Sequence, residues 1–418
     1  MVMKQSETKP FKRIVVKYGG ASLADDERML KAVTAIANKA RSGSQIAVVV
    51  SAIGKTTDFL MQVAKSVSNG KVAEEDMDDI LSIGERTSIR LFAAALKARG
   101  VESRYFDPLD PDWPIITDMA FSNANPILKE CEERIQEYVL PLVEKGSVPV
   151  IAGFVGRTSD GRITTIGRGG SDTTAFILAK ALRADEVILV ADIDGIMTAD
   201  PKFVSNPRRV QKIDVDALVG LADSGTKFMH RKALKYKDPT IDVRVINYAL
   251  GDLDAEGTLI TGSLPTELDV SIANETPVMS ITVVGHNISE QPAIAMELIE
   301  KAKAHTQLIG LSGNHNSIIL YLLEGKDPNS LLKDVHETVL KYEQAVSVAA
   351  RKQLAFARIK GIGLEETPGI LGTISETLRR NGINIFGMLT ITSSILLFVD
   401  WGEKEAALSL IKSSLRGN

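Results

Sequence analysis

The chain has 418 residues, 44% of them hydrophobic, with a formal net charge of −4 and a pI near 5.9. That length carries roughly two to three domains, and the mild acidity lacks the basic footprint of nucleic-acid binders. One cysteine, Cys131, excludes an internal disulfide, and the five histidines show no metal-ligand spacing. No apolar run reaches the roughly 18 residues of a membrane span, and the polar start MVMKQSETKPFKR has no signal-peptide pattern. A cytoplasmic protein acting on small molecules is expected, with no nucleic-acid or membrane partner and no metal cage of its own.

In chain order, IVVKYGG after Arg13 is an apolar run broken by two glycines, and Ile46 to Val50 is another that ends at Ser51-Ala52-Ile53-Gly54-Lys55-Thr56-Thr57. Both read as buried parallel strands with loops at their carboxyl ends. Between them, Met29, Leu30, Val33, Ile36 and Ala37 recur at helical spacing over Asp26 to Ala40. Cys131 falls in a helical pattern, ILKECEERIQEYV, where it reads as a packing residue. Strands follow at Val148 to Gly153, Glu186 to Ala191 and Asp242 to Ile246, with a helix after Asp172. This order predicts an α/β sandwich with a mostly parallel sheet and a ligand at its carboxyl edge. The turn-rich stretch Gly251 to Leu268 reads as the exit from that domain.

The rest has a different rhythm. Strand, helix, strand, strand, helix is predicted at Ser280 to Val284, Ile294 to Ala304, Leu308 to Ser312, Ser317 to Leu323 and Asn329 to Lys341. The order returns at Phe356 to Ile362, Gly369 to Arg380, Asn384 to Thr390, Ser394 to Trp401 and Lys404 to Ser414. Two βαββα units are therefore expected, an internal repeat absent from the first half.

The most informative segment runs from Thr164 to Ala175, TTIGRGGSDTTA. Three glycines, an arginine, an aspartate and five hydroxyls precede the helical pattern of Ala175 to Leu182. Bare backbone N–H groups and the positive end of a helix dipole suit a phosphate or carboxylate guest.

These pieces together resemble the aspartokinases of the amino-acid kinase superfamily, with tandem ACT domains at the carboxyl end. The likeness runs from about Ile14 to Leu415. KYGGAS at Lys17 to Ser22 is similar to the family's KFGGTS, SAIGKTTD at Ser51 to Asp58 to SAMGKTTD, and LSIGERTS at Leu81 to Ser88 to LxxGExxS. TTIGRGGSDTTA is nearly a direct match. DIDGIMTADPK at Asp192 to Lys202 resembles DVDGxYTxDPR, SGTKFMHRKAL at Ser224 to Leu234 resembles GAKVLHPRAL, and ETPGIL resembles an ACT turn.

The resemblance implies an amino-acid-kinase domain over 1–265, a first ACT unit over 270–345 with a degenerate loop at Ser289 to Ala293, and a second over 346–418. It implies ATP with Mg2+, and phosphoryl transfer to the side-chain carboxylate of L-aspartate, the entry to lysine, threonine and methionine synthesis. Lys17, Lys227 and Asp172 are the implied catalytic residues; Ser51, Thr57, Glu85, Arg168 and Ser171 the substrate-binding ones. Gly19, Gly20, Ala191, Asp192, Met197 and Lys202 join Lys17 and Lys227 around the nucleotide. Two lysines plus nucleotide-bound magnesium suffice for a reaction that is mostly positioning and charge neutralisation. A glutamate can hold the α-ammonium, and an arginine the α-carboxylate through a forked contact. A homodimer or higher homo-oligomer through ACT units, and lysine or threonine as effector, are also implied. Ala21 stands where the family has threonine, which removes a hydroxyl and keeps open a homoserine kinase; a catalytically silent ACT regulator is the alternative from another class.

Overall fold

The structure, a computed structural model, describes residues 11–200, 202–222, 229–264, 268–361, 364, 368–391 and 394–416. Lys227, Glu366 and Thr367 lie outside them. The described chain divides into two compact units, before and after Leu264.

In the first unit the elements are β1 (Arg13–Tyr18), α1 (Asp26–Arg41), β2 (Gln45–Val50), α2 (Thr56–Val67), α3 (Glu74–Lys97), β3 (Ser103–Phe106), α4 (Leu128–Arg134), α5 (Leu140–Glu144), β4 (Val148–Ala152), β5 (Val155–Arg157), β6 (Ile163–Thr165) and α6 (Gly170–Leu182). They continue as β7 (Glu186–Ala191), β8 (Lys212–Asp214), α7 (Val215–Ala222), α8 (Arg231–Leu234), β9 (Asp242–Asn247) and β10 (Thr258–Thr261). The sheet order is β3-β4-β2-β1-β7-β9-β10-β8. From β3 to β9 all neighbours are parallel; β10 runs antiparallel to β9. Ile14, Val15, Val16 and Ala47 to Val50 are fully buried, as continuous apolar runs require when helices cover both faces of a sheet. Because β1 sends the chain to β2 on one side while β7 returns on the other, a switch point lies at the carboxyl end of β1.

Local chemistry sets the helices. Asp25 caps α1 by accepting from Arg28 N, with Asp26 and Glu27 in its first turn and Lys39 and Arg41 in its last. Helix α6 begins earlier than the apolar pattern, at Gly170, directly after Gly169 in a left-handed conformation (φ +76°). Ser171 and Asp172 therefore lie in its first turn, where backbone N–H groups have no partner within the helix. Cys131 is buried in α4, where its thiol donates to Ile116 O (3.2 Å) and burial pushes its pKa up to about 12. It packs and does not react.

In the second unit one antiparallel sheet carries both repeats. Its elements are β11 (Asp269–Ile272), β12 (Val278–Gly285), α9 (Pro292–His305), β13 (Leu308–Asn314), β14 (Ser317–Leu323), α10 (Pro328–Lys341), β15 (Ala345–Lys360), α11 (Ile370–Arg380), β16 (Gly387–Ile391), β17 (Ser394–Asp400) and α12 (Lys404–Arg416). The order is β13-β14-β12-β15-β17-β16, with β11 also paired to β15. The long strand β15 belongs to both repeats. Its first half pairs with β12, and its second half lies between β17 and β11. A register shift separates the halves, and Gln353 there has φ +57°. Each βαββα repeat thus gains a fourth strand, the first from β15 and the second from upstream β11, whose Val270 packs with Ile359, Leu397 and Ile411. Sequence periodicity missed both additions, since β11 is short and the exposed first half of β15 has no buried face to alternate.

Alternation along these strands separates two kinds of core. Ile281, Val283 and Leu320 face α9 and α10, while Ala357, Leu397 and Val399 face α11 and α12. On the helix-free faces Val278, Tyr321, Leu354, Phe356 and Phe398 form a third cluster. Tyr321 and Phe398 stack there with centroids 3.9 Å apart.

Candidate active site

A cleft of about 900 Å³ opens at the carboxyl ends of β1 and β2 and the start of α6. Eight of the residues singled out in the sequence line it: Lys17, Gly20, Ser51, Thr57, Glu85, Arg168, Ser171 and Asp172. They come from four stretches of the chain, because parallel strands deliver their ends to one edge.

Lys17, one residue before the end of β1, has its Nζ 2.7 Å from Asp172 Oδ1, and both side chains are largely buried. Removing either partner would leave an uncompensated charge in a poorly solvated site. Gly20 follows in a short 3₁₀ turn, where a Cβ would come within 2.8 Å of both Ala52 O and Gly54 O. No side chain fits, so this glycine brings the end of β1 against the loop after β2. Ser22 is buried and donates through Oγ to Val190 O (3.0 Å), tying the same turn to β7.

Glu85 lies on the inward face of α3, only 3% exposed. Its Oε1 accepts from Ala52 N (3.2 Å), whereas Oε2 is buried without a hydrogen-bond partner among the described residues. Burial raises its pKa to about 7, an effect the Ala52 N–H partly offsets. A buried carboxylate with one unmatched oxygen facing a cleft is suited to a cation. Across the site, Arg168 is exposed and makes no hydrogen bond or ion pair with the described residues. Ser51 Oγ donates to Ser171 Oγ (2.9 Å), joining the loop after β2 to the first turn of α6. The cleft therefore brings Glu85, Lys17, Arg168, the Ser51 and Ser171 hydroxyls and the first turn of α6 together in one cavity.

The other described residues that the resemblance assigns to the nucleotide follow β1 or lie at and after the end of β7. Gly19 N donates to Val190 O (3.4 Å), Ala191 ends β7, and Asp192, Met197 and Lys202 follow in the connection to β8. None of these lines the cleft. Ala21, where a hydroxyl was expected to be missed, is exposed and does not line it either. Sequence reading overlooked Asp78, buried seven residues before Glu85 on α3, and Lys232 on α8. A signal existed for Asp78: Asp78, Ser82 and Glu85 are polar residues at positions of the helix's buried stripe.

The sequence profile of the amino acid kinase family matches residues 12–247. The chain is 30% identical over 413 residues to an aspartokinase of Thermus thermophilus, covering 95% of this chain and 97% of that one. An aspartokinase of Corynebacterium glutamicum is 31% identical over 405 residues, covering 92% and 91%. Among solved structures, aspartate kinase from Synechocystis superposes with a TM-score of 0.80 at 25% identity, covering 96% of this chain and 69% of that one. Escherichia coli aspartokinase III in complex with aspartate and ADP shares the fold, with a TM-score of 0.54 at 23% identity over 97% and 100%. Matching over nearly its whole length, this chain belongs to the amino acid kinase family and, within it, to the aspartokinases.

Proposed function

We propose that the chain transfers the γ-phosphoryl group of ATP to the side-chain carboxylate of L-aspartate, giving 4-phospho-L-aspartate and ADP. The observation that carries this reading is Glu85, whose buried Oε2 has no hydrogen-bond partner among the described residues, in the cleft that also holds Arg168 and the Lys17–Asp172 pair. Glu85 takes the α-ammonium and Arg168 the α-carboxylate by a forked contact. The side-chain carboxylate is then directed to Ser51, Thr57 and Lys17. With a reference pKa near ~3.9 it is already ionised at neutral pH, so no general base is needed.

Lys17, held by Asp172, neutralises charge on the phosphoryl group in transit. Magnesium would come with the nucleotide, for whose phosphates the resemblance assigns Lys227, outside the described residues, with Gly19, Ala191, Asp192, Met197 and Lys202 as the other nucleotide residues. Homoserine loses its main support because Ala21 lies off the cleft. The carboxyl-terminal unit is assigned two roles: pairing copies into a homodimer or higher homo-oligomer, and binding lysine or threonine as effector in a cytoplasmic enzyme. Support for both is the pair of four-stranded repeats sharing β15. An ADP-release assay with aspartate, homoserine and no amino acid tests the reaction: turnover with aspartate alone is expected, and preference for homoserine would overturn the assignment.

A further inference from the structure

Arg168 can present its guanidinium to a carboxylate only from a fixed backbone, since its side chain makes no hydrogen bond or ion pair with the described residues. Two loops meet beside it, and two groups of opposite charge hold them. Asp78, fully buried on α3, accepts through Oδ2 from Ser122 N and Thr165 N, both at 2.8 Å, and through Oδ1 from Thr165 Oγ1 at 2.6 Å. Lys232 on α8 donates through Nζ to Asn123 Oδ1 (2.7 Å), Asn123 O (3.2 Å), Ala124 O (3.0 Å) and Ile166 O (2.6 Å). The N–H groups of the two loops thus meet an anion, and their carbonyls meet a cation.

The loops also bind each other, Ala124 N donating to Thr165 O at 2.9 Å. At Gly167 (φ +79°) a Cβ would come within 2.8 Å of Asn123 Oδ1, so the loops touch one residue before Arg168. Ser122, Thr165 and Gly167 line the cleft, while Asp78 and Lys232 do not. The two charged groups reach the substrate only through the platform they build.

We propose that Asp78 and Lys232 are positioning residues that fix the 122–124 and 165–167 loops as one platform and so set the aim of Arg168 at the α-carboxylate of the amino-acid substrate. The proposal rests on the reading of Arg168 given above. Positioning predicts a loss of substrate binding that depends on Arg168 being present, whereas a purely structural role predicts a loss indifferent to it.

The test is steady-state kinetics on the full chain. Asp78→Ala and Lys232→Met should each raise KM for aspartate about tenfold, with kcat and KM for ATP changed less than about twofold. Asp78→Asn should stay near wild type, because its oxygen can accept both N–H groups while the Thr165 hydroxyl turns to accept from its amide; Lys232→Arg should restore most of the affinity. In an Arg168→Ala background, Asp78→Ala and Lys232→Met should add less than about twofold. Full multiplication in that background, an equal change in KM for ATP, or an unchanged KM for aspartate would overturn the proposal. Should Asp78→Ala fail to fold, the Lys232 pair carries the test alone. Wild-type protein that releases no ADP with aspartate overturns the substrate assignment and this inference with it; unaltered variants of an active enzyme overturn this inference only.

Discussion

The two units treat polar atoms in opposite ways. In the kinase unit, Glu85 Oε2 is buried without a hydrogen-bond partner among the described residues, on a residue that lines the cleft. In the carboxyl-terminal unit no buried side-chain nitrogen or oxygen of the described residues lacks a partner, and nearer its surface Glu297 accepts from Thr338, Lys341 and Tyr342, while His305 Nε2 meets Asp334 at 2.6 Å. Its central cluster is aromatic and aliphatic. An unsatisfied buried oxygen costs on the order of 1–3 kcal/mol, and a fold keeps one where a ligand will meet it. The difference separates a surface prepared for a small charged guest from one stabilised by its own packing.

The largest expected effect tests the second half of that contrast. Phe398 is fully buried and stacked on Tyr321. Phe398→Ala should destabilise the protein by about 3–5 kcal/mol, read as a lower denaturant midpoint, while kcat at permissive temperature stays within about twofold of wild type. A large fall in kcat with little change in stability would erase the division of labour.

Lys17→Ala attacks the first half. Its ammonium matters most once transfer has begun, so kcat should fall by on the order of 10² or more with a modest change in either KM. A near-normal kcat would remove Lys17 from catalysis and leave its pair with Asp172 as structure. Arg168→Lys is milder, since charge is kept and only the fork is lost. KM for aspartate should rise about tenfold, with KM for ATP unchanged; movement of the ATP parameter instead would reassign Arg168 to the nucleotide.

Much of this was legible in the sequence, for physical reasons that also explain what was not. Parallel strands buried on both faces write themselves as apolar runs, which is why β1, β2, β4 and β7 could be placed within a residue or two. Glycine loops at strand ends marked Lys17, Arg168 and Asp172. The early start of α6 was hidden because glycine and serine carry no helical periodicity. Strand β11 was hidden because its partners lie far along the chain, at Ala357 to Lys360. Asp78 and Lys232 escaped because they act on backbone atoms of other loops, and a sequence shows side chains but not which carbonyls they will meet.

The smallest effect on aspartate kinetics sharpens the comparison most finely, because it measures the unsatisfied oxygen itself. Burial holds the Glu85 carboxyl up to about 7, so in the free enzyme it titrates across neutral pH. Only the ionised form can receive an ammonium group. Affinity for aspartate should therefore rise with pH through this range, about twofold between pH 7 and 8 and more steeply below, as the carboxylate fraction grows. Stability of the free protein should move the other way. A carboxyl whose folded pKa lies above its ordinary value of 4.5 contributes stability that is whole below that value and is lost as pH rises through about 7. Above pH 8 that loss is on the order of 3 kcal/mol, and bound aspartate should restore much of it by supplying the missing cation. Glu85→Gln carries no titrating group, so its free-protein stability should lack this fall, while its kcat/KM for aspartate should be low and flat from pH 6 to 8. The measurements are kcat/KM for aspartate and thermal midpoints across that range, with and without aspartate. A wild-type kcat/KM independent of pH, or a Glu85→Gln variant that keeps its aspartate affinity, would mean that the unmatched oxygen is not where the ammonium binds.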